Sequence, residues 1–233
     1  MNAMILAAGR GERMRPLTEK LPKPLLEAGG HRLIEYHLAA LRKHGIGDVV
    51  INLSWFGGHI REALGDGKAH GLAIRYSEEG PEPLGTGGGL FAALPLLGTE
   101  PFLVVNGDIW SDFALKSLKP PPDSFAHLVL VANPGHHPEG DFGVDSEGRI
   151  RPLPARLTYS GISVLHPRLF EGCEHGVFPL RPLLDRAMLS GRLTGQRHAG
   201  AWTDVGTPAR LAALDAELRL GKARHPVLSS PVG

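Results

Sequence analysis

A short apolar run that breaks into a loop of glycines, prolines and cations constrains this chain more than any other feature. Residues 4–8 are Met-Ile-Leu-Ala-Ala, and Gly9 ends the run. So compact a run, closed by glycine, predicts a buried strand. The loop that follows carries Gly11, Arg13, Arg15 and Pro16, then Pro22-Lys23-Pro24. Glycines let the backbone turn sharply and bring its N–H groups close to a ligand. A concavity of such groups binds anions. Arg13 and Arg15 add forked donors suited to phosphate oxygens. Each proline fixes its own φ and biases the preceding residue to an extended shape, so Lys23 sits on a stiff stalk. Gly9 and Gly11 taken alone favour a plain turn over a ligand contact.

The remaining pattern predicts an α/β protein. Apolar spacing predicts helices over 33–44, 58–64, 87–94, 181–190 and 207–220. Compact apolar or β-branched runs predict strands over 48–53, 73–77, 102–106, 128–132 and 159–165. Their alternation argues for a Rossmann-like, mostly parallel mixed sheet with helices on both faces. The Gly- and Pro-rich stretch 134–154 predicts a small antiparallel hairpin annex around Asp145-Ser146-Glu147-Gly148. A single domain is expected over 1–220, with 221–233 as a frayed tail.

Composition excludes several classes. A net charge of +1 gives no broad case for nucleic acid or a membrane surface. No run is long enough to span a bilayer, and the first residues do not read as a signal peptide. Cys173 is the one cysteine, so no disulfide framework exists and a reducing, cytoplasmic compartment is expected. Small apolar filling is the expected use of that thiol. His136 and His137 read as solvent-exposed loop residues.

Strand 102–106 runs into Asn106-Gly107-Asp108. Ligands of open α/β sheets bind at the carboxyl ends of strands. From position alone, Asp108 is equally a divalent-cation ligand or an Asx turn. Asp204 lies near a second strand end, and Thr207 is the better cap for the helix behind it. Leu84-Gly85-Thr86-Gly87-Gly88-Gly89 leaves few side chains to block a flat ring. No Gly-Lys-Ser/Thr follows, so it is not a Walker-type loop. Gly9-x-Gly11-x-x-Met14 lacks the third glycine of a dinucleotide fingerprint.

The first loop resembles the signature of the sugar-1-phosphate nucleotidyltransferases, Leu-Ala-x-Gly-x-Gly-x-Arg-Met-x-Pro-Leu-Thr followed by Pro-Lys-Pro. Stretches 104–110, 133–137, 160–167 and 169–173 resemble the branch of that family acting on N-acetylmuramate 1-phosphate. The resemblance implies a glycosyltransferase-A-like fold and a reaction of UTP with a sugar 1-phosphate, giving UDP-sugar and pyrophosphate in cell-wall recycling. It implies catalytic roles for Arg13, Lys23 and Asp108, and Mg²⁺ held by Asp108 and Asp204. Nucleotide contacts are implied for Leu6, Ala7, Ala8, Gly9, Gly11, Glu12, Arg13, Lys23, Gly85, Thr86 and Gly87. Substrate contacts are implied for Asn106, Asp141, Ser160 and Gly161. Relatives hold the sugar phosphate with a hairpin lysine; no lysine lies between Lys119 and Lys222 here, leaving Arg149, Arg151 or Arg156 as stand-ins. A monomer or homodimer is expected. Mannose-1-phosphate guanylyltransferase, glucose-1-phosphate thymidylyl- or uridylyltransferase, a metal-dependent glycosyltransferase and a non-catalytic nucleotide-sugar sensor stay open as alternatives.

Overall fold

The computed structural model describes residues 1–228. In chain order the elements are β1 (Ala3–Leu6), β2 (Glu27–Ala28), β3 (His31–Arg32), α1 (Leu33–Lys43), β4 (Asp48–Leu53), α2 (Gly57–Leu64), β5 (Ala73–Glu78), α3 (Gly85–Leu97) and β6 (Phe102–Asn106). There follow β7 (Ile109–Ser111), β8 (Ala126–Val131), β9 (Gly143–Val144), β10 (Ile150–Arg151), β11 (Thr158–Leu165), α4 (Arg181–Leu189), β12 (Leu193–Arg197), β13 (Trp202–Asp204) and α5 (Pro208–Arg219).

Seven strands form one sheet in the order β12-β8-β11-β6-β1-β4-β5. Strand β1 is flanked in parallel by β4 and β6, and β5 extends that parallel block. Strand β11 runs antiparallel to both β6 and β8, which makes the sheet mixed. The side-chain alternation of β1 explains why helices cover both faces. Ala3 and Ile5 point to one side, with Val49, Ile51 and Leu103, where Leu38 and Leu41 of α1 and Ile60 and Leu64 of α2 close over them. Met4 points to the other, with Val50 and Val104, beneath Leu90 and Ala93 of α3 and Leu183 and Leu184 of α4. Each fully buried Ile, Leu or Met contributes about 1.5–3 kcal/mol of transfer free energy. The predicted annex is the β9–β10 hairpin, with Ile150 opposite Val144.

Sequence pattern missed three short pieces. Strand β12 (Leu-Thr-Gly-Gln-Arg) has one large apolar residue, so no alternation announces it. Its Gly195 packs closely, since a Cβ there would meet Ile150 Cδ1 at 2.8 Å and the Leu128 carbonyl at 3.1 Å. The two-stranded ribbon β7–β13 and the hairpin β2–β3 are too short to carry a period. Helix α5 begins after Thr207, whose hydroxyl accepts a hydrogen bond from the Arg210 N–H at 3.3 Å, the predicted cap.

The frayed-tail expectation needs correction over residues 221–228. Ala223 is buried, and the His225 ring packs 5.0 Å from that of Tyr36 and 6.2 Å from that of Trp110. Lys43 Nζ donates to the Pro226 carbonyl at 2.8 Å. Leu228 joins the same apolar cluster. An aromatic shelf on α1 and β7 gives this segment something to bury against, which composition alone does not reveal. The rest of the expected tail, 229–233, lies outside the described residues. Among the described residues no helix is long and apolar enough to cross a membrane.

Candidate active site

The carboxyl ends of β1, β4 and β6 open into a cleft of about 650 Å³. Residues 6–9 and 11–13 line it, as do Lys23, Gly85, Thr86, Asn106 and Asp108. Gly11 takes the left-handed conformation, φ 64°, and its carbonyl is held by the Thr18 hydroxyl at 2.8 Å. That bond fixes the turn that presents Glu12 and Arg13. Lys23 follows an extended Pro22, ψ 144°, and starts a single 3-10 turn, as the proline stalk required.

Lys23 is only 8% exposed, and its Nζ lies 2.6 Å from Asp108 Oδ2. One glycine-permitted approach brings this about. Gly107 donates to the Leu6 carbonyl at 2.9 Å, and a Cβ on Gly107 would meet that oxygen at 2.7 Å. Asp108 is therefore drawn against the first loop, which carries the lysine. A buried ammonium without a partner is costly, so the carboxylate and the lysine fix each other.

Two functional candidates escaped the sequence. Asn52 Oδ1 accepts from the Ala7 N–H at 2.7 Å, and Asn52 Nδ2 donates to Glu79 Oε1 at 2.5 Å. Glu79 Oε2 accepts from the Leu84 N–H at 2.7 Å. Both side chains are buried and line the cleft. They tie the first loop to the glycine-rich segment through one continuous chain of hydrogen bonds. A signal was present: a lone Asn inside the apolar run 49–53, and a Glu just past the carboxyl end of a parallel strand.

The glycine-rich segment divides. Gly85 and Thr86 are exposed at the cleft, whereas Gly87, expected on the nucleotide, is buried away from it. The N–H groups of Gly87 and Gly88 donate to the Phe178 carbonyl at 3.0 and 3.1 Å. A Cβ on Gly87 would strike the Phe178 ring, and one on Gly88 the Gly176 carbonyl. These glycines let α3 seat against 176–179, so their bareness serves packing and not a ring.

The sugar-side expectations are also revised. Ser160 is 1% exposed, and its hydroxyl accepts from the Ile162 N–H at 3.2 Å. Gly161 has φ +82°, and its missing Cβ leaves room for the Asn106 side chain, whose Cγ would lie 2.8 Å away. Both residues thus belong to the bulge of β11 and do not line the cleft, and Gly161 backs the Asn106 side chain. Asp141 accepts from the Tyr159 N–H at 2.8 Å and lies 3.1 Å from His137 Nε2. Arg149 and Arg151 lie 3.4 Å from Glu147 and Asp145 of their own hairpin.

Asp204 is brought beside Asp108 through the backbone. It stands opposite Ile109 in the β7–β13 ribbon, and the Val205 N–H donates to the Asp108 carbonyl at 2.7 Å. Its Oδ1 accepts from Arg210 Nη1 at 3.0 Å and lies 3.0 Å from His136 Nε2. His136 is an exposed loop residue as expected, and its ring nonetheless meets this cluster. Oδ2 of Asp204 faces Gly206, which lines the cleft. Among the described residues no group of three or more His, Cys, Asp or Glu side chains is gathered as for a metal. Two carboxylates completed by substrate oxygens and water is an ordinary Mg²⁺ environment, so the donor set fits that ion. Cys173 is partly buried against the second core cluster, a filler as expected.

Behind Asp108 lies His37, buried, with Nε2 unpartnered. Burial pushes its pKa down to about 4, opposed by the charge of Asp108 and a backbone hydrogen bond at Ile109.

Residues 2–153 match the Nucleotidyl transferase family model. The chain belongs to the nucleotidyl transferase family. Among its relatives in that family, the N-acetylmuramate alpha-1-phosphate uridylyltransferase of Neisseria meningitidis serogroup B is 49% identical over 220 residues, covering 91% of this chain and 95% of the relative. The protein of the same name from Caulobacter vibrioides is 35% identical over 95% of this chain and 97% of the relative. A mannose-1-phosphate guanylyltransferase of Mycobacterium tuberculosis is 30% identical, with 67% of its length covered. Solved structures of the same fold include a Bacillus anthracis protein in complex with sucrose, TM-score 0.81 at 21% identity, over 93% of this chain and 94% of that one. HddC from Yersinia pseudotuberculosis, complexed with GMP-PN, has a TM-score of 0.77 at 21% identity, over 93% of this chain and 98% of HddC.

Proposed function

We propose that this nucleotidyltransferase joins UTP to N-acetylmuramate 1-phosphate, giving UDP-N-acetylmuramate and pyrophosphate, in the cytoplasm and in the service of peptidoglycan recycling. The observation that carries the chemistry is the pairing of buried Lys23 with the more open Asp108, 2.6 Å apart, beneath a glycine-built loop. The choice of sugar and base rests on two relatives bearing that activity in their names and aligned over more than nine-tenths of this chain.

An oxygen of the sugar phosphate attacks the α-phosphorus, the new P–O bond forms, and the bond to the β-phosphate breaks. A phosphate monoester has a second pKa near ~6, so the nucleophile is already ionised at neutral pH and no proton needs to be removed. The obstacle is repulsion between anions, which positioning and fixed positive charge overcome. Arg13, exposed at the cleft, steadies the departing pyrophosphate. Lys23, held by Asp108, presents its ammonium toward the α-phosphate. Asn52 and Glu79 keep the first loop and the glycine-rich segment in register around the nucleotide. Asp108 and Asp204 would hold Mg²⁺, which supplies Lewis-acid neutralisation of phosphate oxygens.

Pyrophosphate release measured with UTP, dTTP and GTP against N-acetylmuramate, glucose and mannose 1-phosphates tests this reading. Release greatest with UTP and the muramate ester is expected. Preference for GTP with mannose 1-phosphate overturns the substrate assignment. Free UDP in place of pyrophosphate overturns the reaction, and silence throughout identifies a sensor.

A further inference from the structure

The cations that meet the nucleotide are accounted for, but the sugar substrate brings its own anion to the other end of the cleft. No lysine lies anywhere between Lys119 and Lys222. Arg149 and Arg151 face acids of their own hairpin, and both side chains are about half exposed, at 54% and 43%. Arg210, in the first turn of α5, differs from them. Its side chain is 20% exposed. Nη1 alone makes its polar contacts, 3.0 Å to Asp204 Oδ1 and 2.5 Å to His136 Nε2. Nε is buried with no hydrogen-bond partner. Nη2 lies against Gly206, where a Cβ would collide with it, and Gly206 lines the cleft. The guanidinium is thus pinned at Nη1, while Nη2 keeps its donors beside Gly206 at the cleft wall. Charged N–H donors of this kind suit a phosphate or carboxylate oxygen.

Building on the function proposed above, we infer that Arg210 grips an oxyanion of the sugar substrate through Nη2. Asp204 and His136 hold the guanidinium for that role. A muramate 1-phosphate offers two such oxyanions, the phosphate and the lactyl carboxylate. The contact is a charge-assisted one, so its loss weakens sugar binding by about tenfold or more.

The test compares wild type with Arg210→Gln and Arg210→Lys. KM is measured for UTP, N-acetylmuramate 1-phosphate and N-acetylglucosamine 1-phosphate, which lacks the lactyl acid. Binding of both sugar phosphates is also measured by calorimetry in EDTA, with folding checked by circular dichroism. Arg210→Gln is expected to raise the KM and the calorimetric Kd for the muramate ester about tenfold or more, to leave the KM for UTP within about twofold, and to be partly rescued by Arg210→Lys. Equal weakening of both sugar phosphates assigns the contact to the phosphate; weakening confined to the muramate ester assigns it to the carboxylate. Unchanged sugar KM and Kd, with a raised Mg²⁺ requirement, overturn the inference and leave Arg210 as a prop for Asp204. Wild type that releases no pyrophosphate overturns the proposed function, while the calorimetric comparison still decides the anion site. No binding by wild type in EDTA overturns the anion site.

Discussion

At the nucleotide end of the cleft, one short stretch of backbone makes the surface: residues 6–9 and 11–13, with Gly85 and Thr86 opposite. At the acidic end, side chains from four separated segments hold one another: Lys23 on Asp108, and His136 and Arg210 on Asp204. Backbone N–H groups are positioned by the turn itself and have no rotamers to lose. Charged side chains reach a working geometry only if a partner holds them. The first end is therefore sensitive to added bulk, and the second to removed charge.

The sharpest way to break that contrast is Lys23→Ala. We expect turnover to fall more than about a hundredfold, about 3 kcal/mol or more at the transition state, with circular dichroism unchanged. Turnover within a few-fold of wild type would take Lys23 out of the chemistry. Asp204→Asn keeps the shape and removes one charge; turnover should fall about tenfold or more at fixed Mg²⁺, with part recovered at higher Mg²⁺. Indifference to Mg²⁺ in both proteins would remove the cation from this end.

Gly88→Ala probes the opposite end. Alanine ordinarily favours a helix by up to about 1 kcal/mol over glycine. Here the added methyl runs into the Gly176 carbonyl, and overpacking typically costs about 1–3 kcal/mol, so the clash should win. A lower denaturant midpoint is expected, and a higher one would show that the 176–179 segment yields freely.

A pH dependence comes from buried histidines that do not line the cleft. His37 and His225 both have pKa values pushed to about 4 by burial, and that of His127 is lowered by the same cause. The folded state then binds fewer protons than the unfolded one between about pH 4 and 6.5. Stability should fall as pH drops through that window and level off below it. His37 sets an upper limit on the order of 3 kcal/mol for its own share. Denaturant midpoints at pH 7.5 and 5.0 check the sign, and His37→Phe should flatten the slope.

What the sequence made legible follows from the same contrast. The first loop, the parallel block around β1 and the Thr207 cap are local, so spacing and residue type were enough. Gly87, Ser160 and Gly161 were misjudged because glycine serves a close backbone approach as readily as a ligand, and only the neighbour decides. The partners of Asp141 and His136 were not legible because tertiary packing chooses them. Arg210 did leave a trace. A cation in the first turn of a helix opposes the macrodipole, which predicts a nearby acid. The packed segment 221–228 left none, since an aromatic shelf made of Tyr36 and Trp110 exists only once α1 and β7 have met.

The β7–β13 ribbon has one further consequence. It stands outside the seven-stranded sheet, and its hydrogen bonds hold Asp204 across from Ile109 and Val205 on Asp108. Asp108 is itself tied to β1 by the Gly107–Leu6 hydrogen bond, so the ribbon anchors Asp204 to the sheet as well. The distance between the two acids is a gauge set by backbone alone.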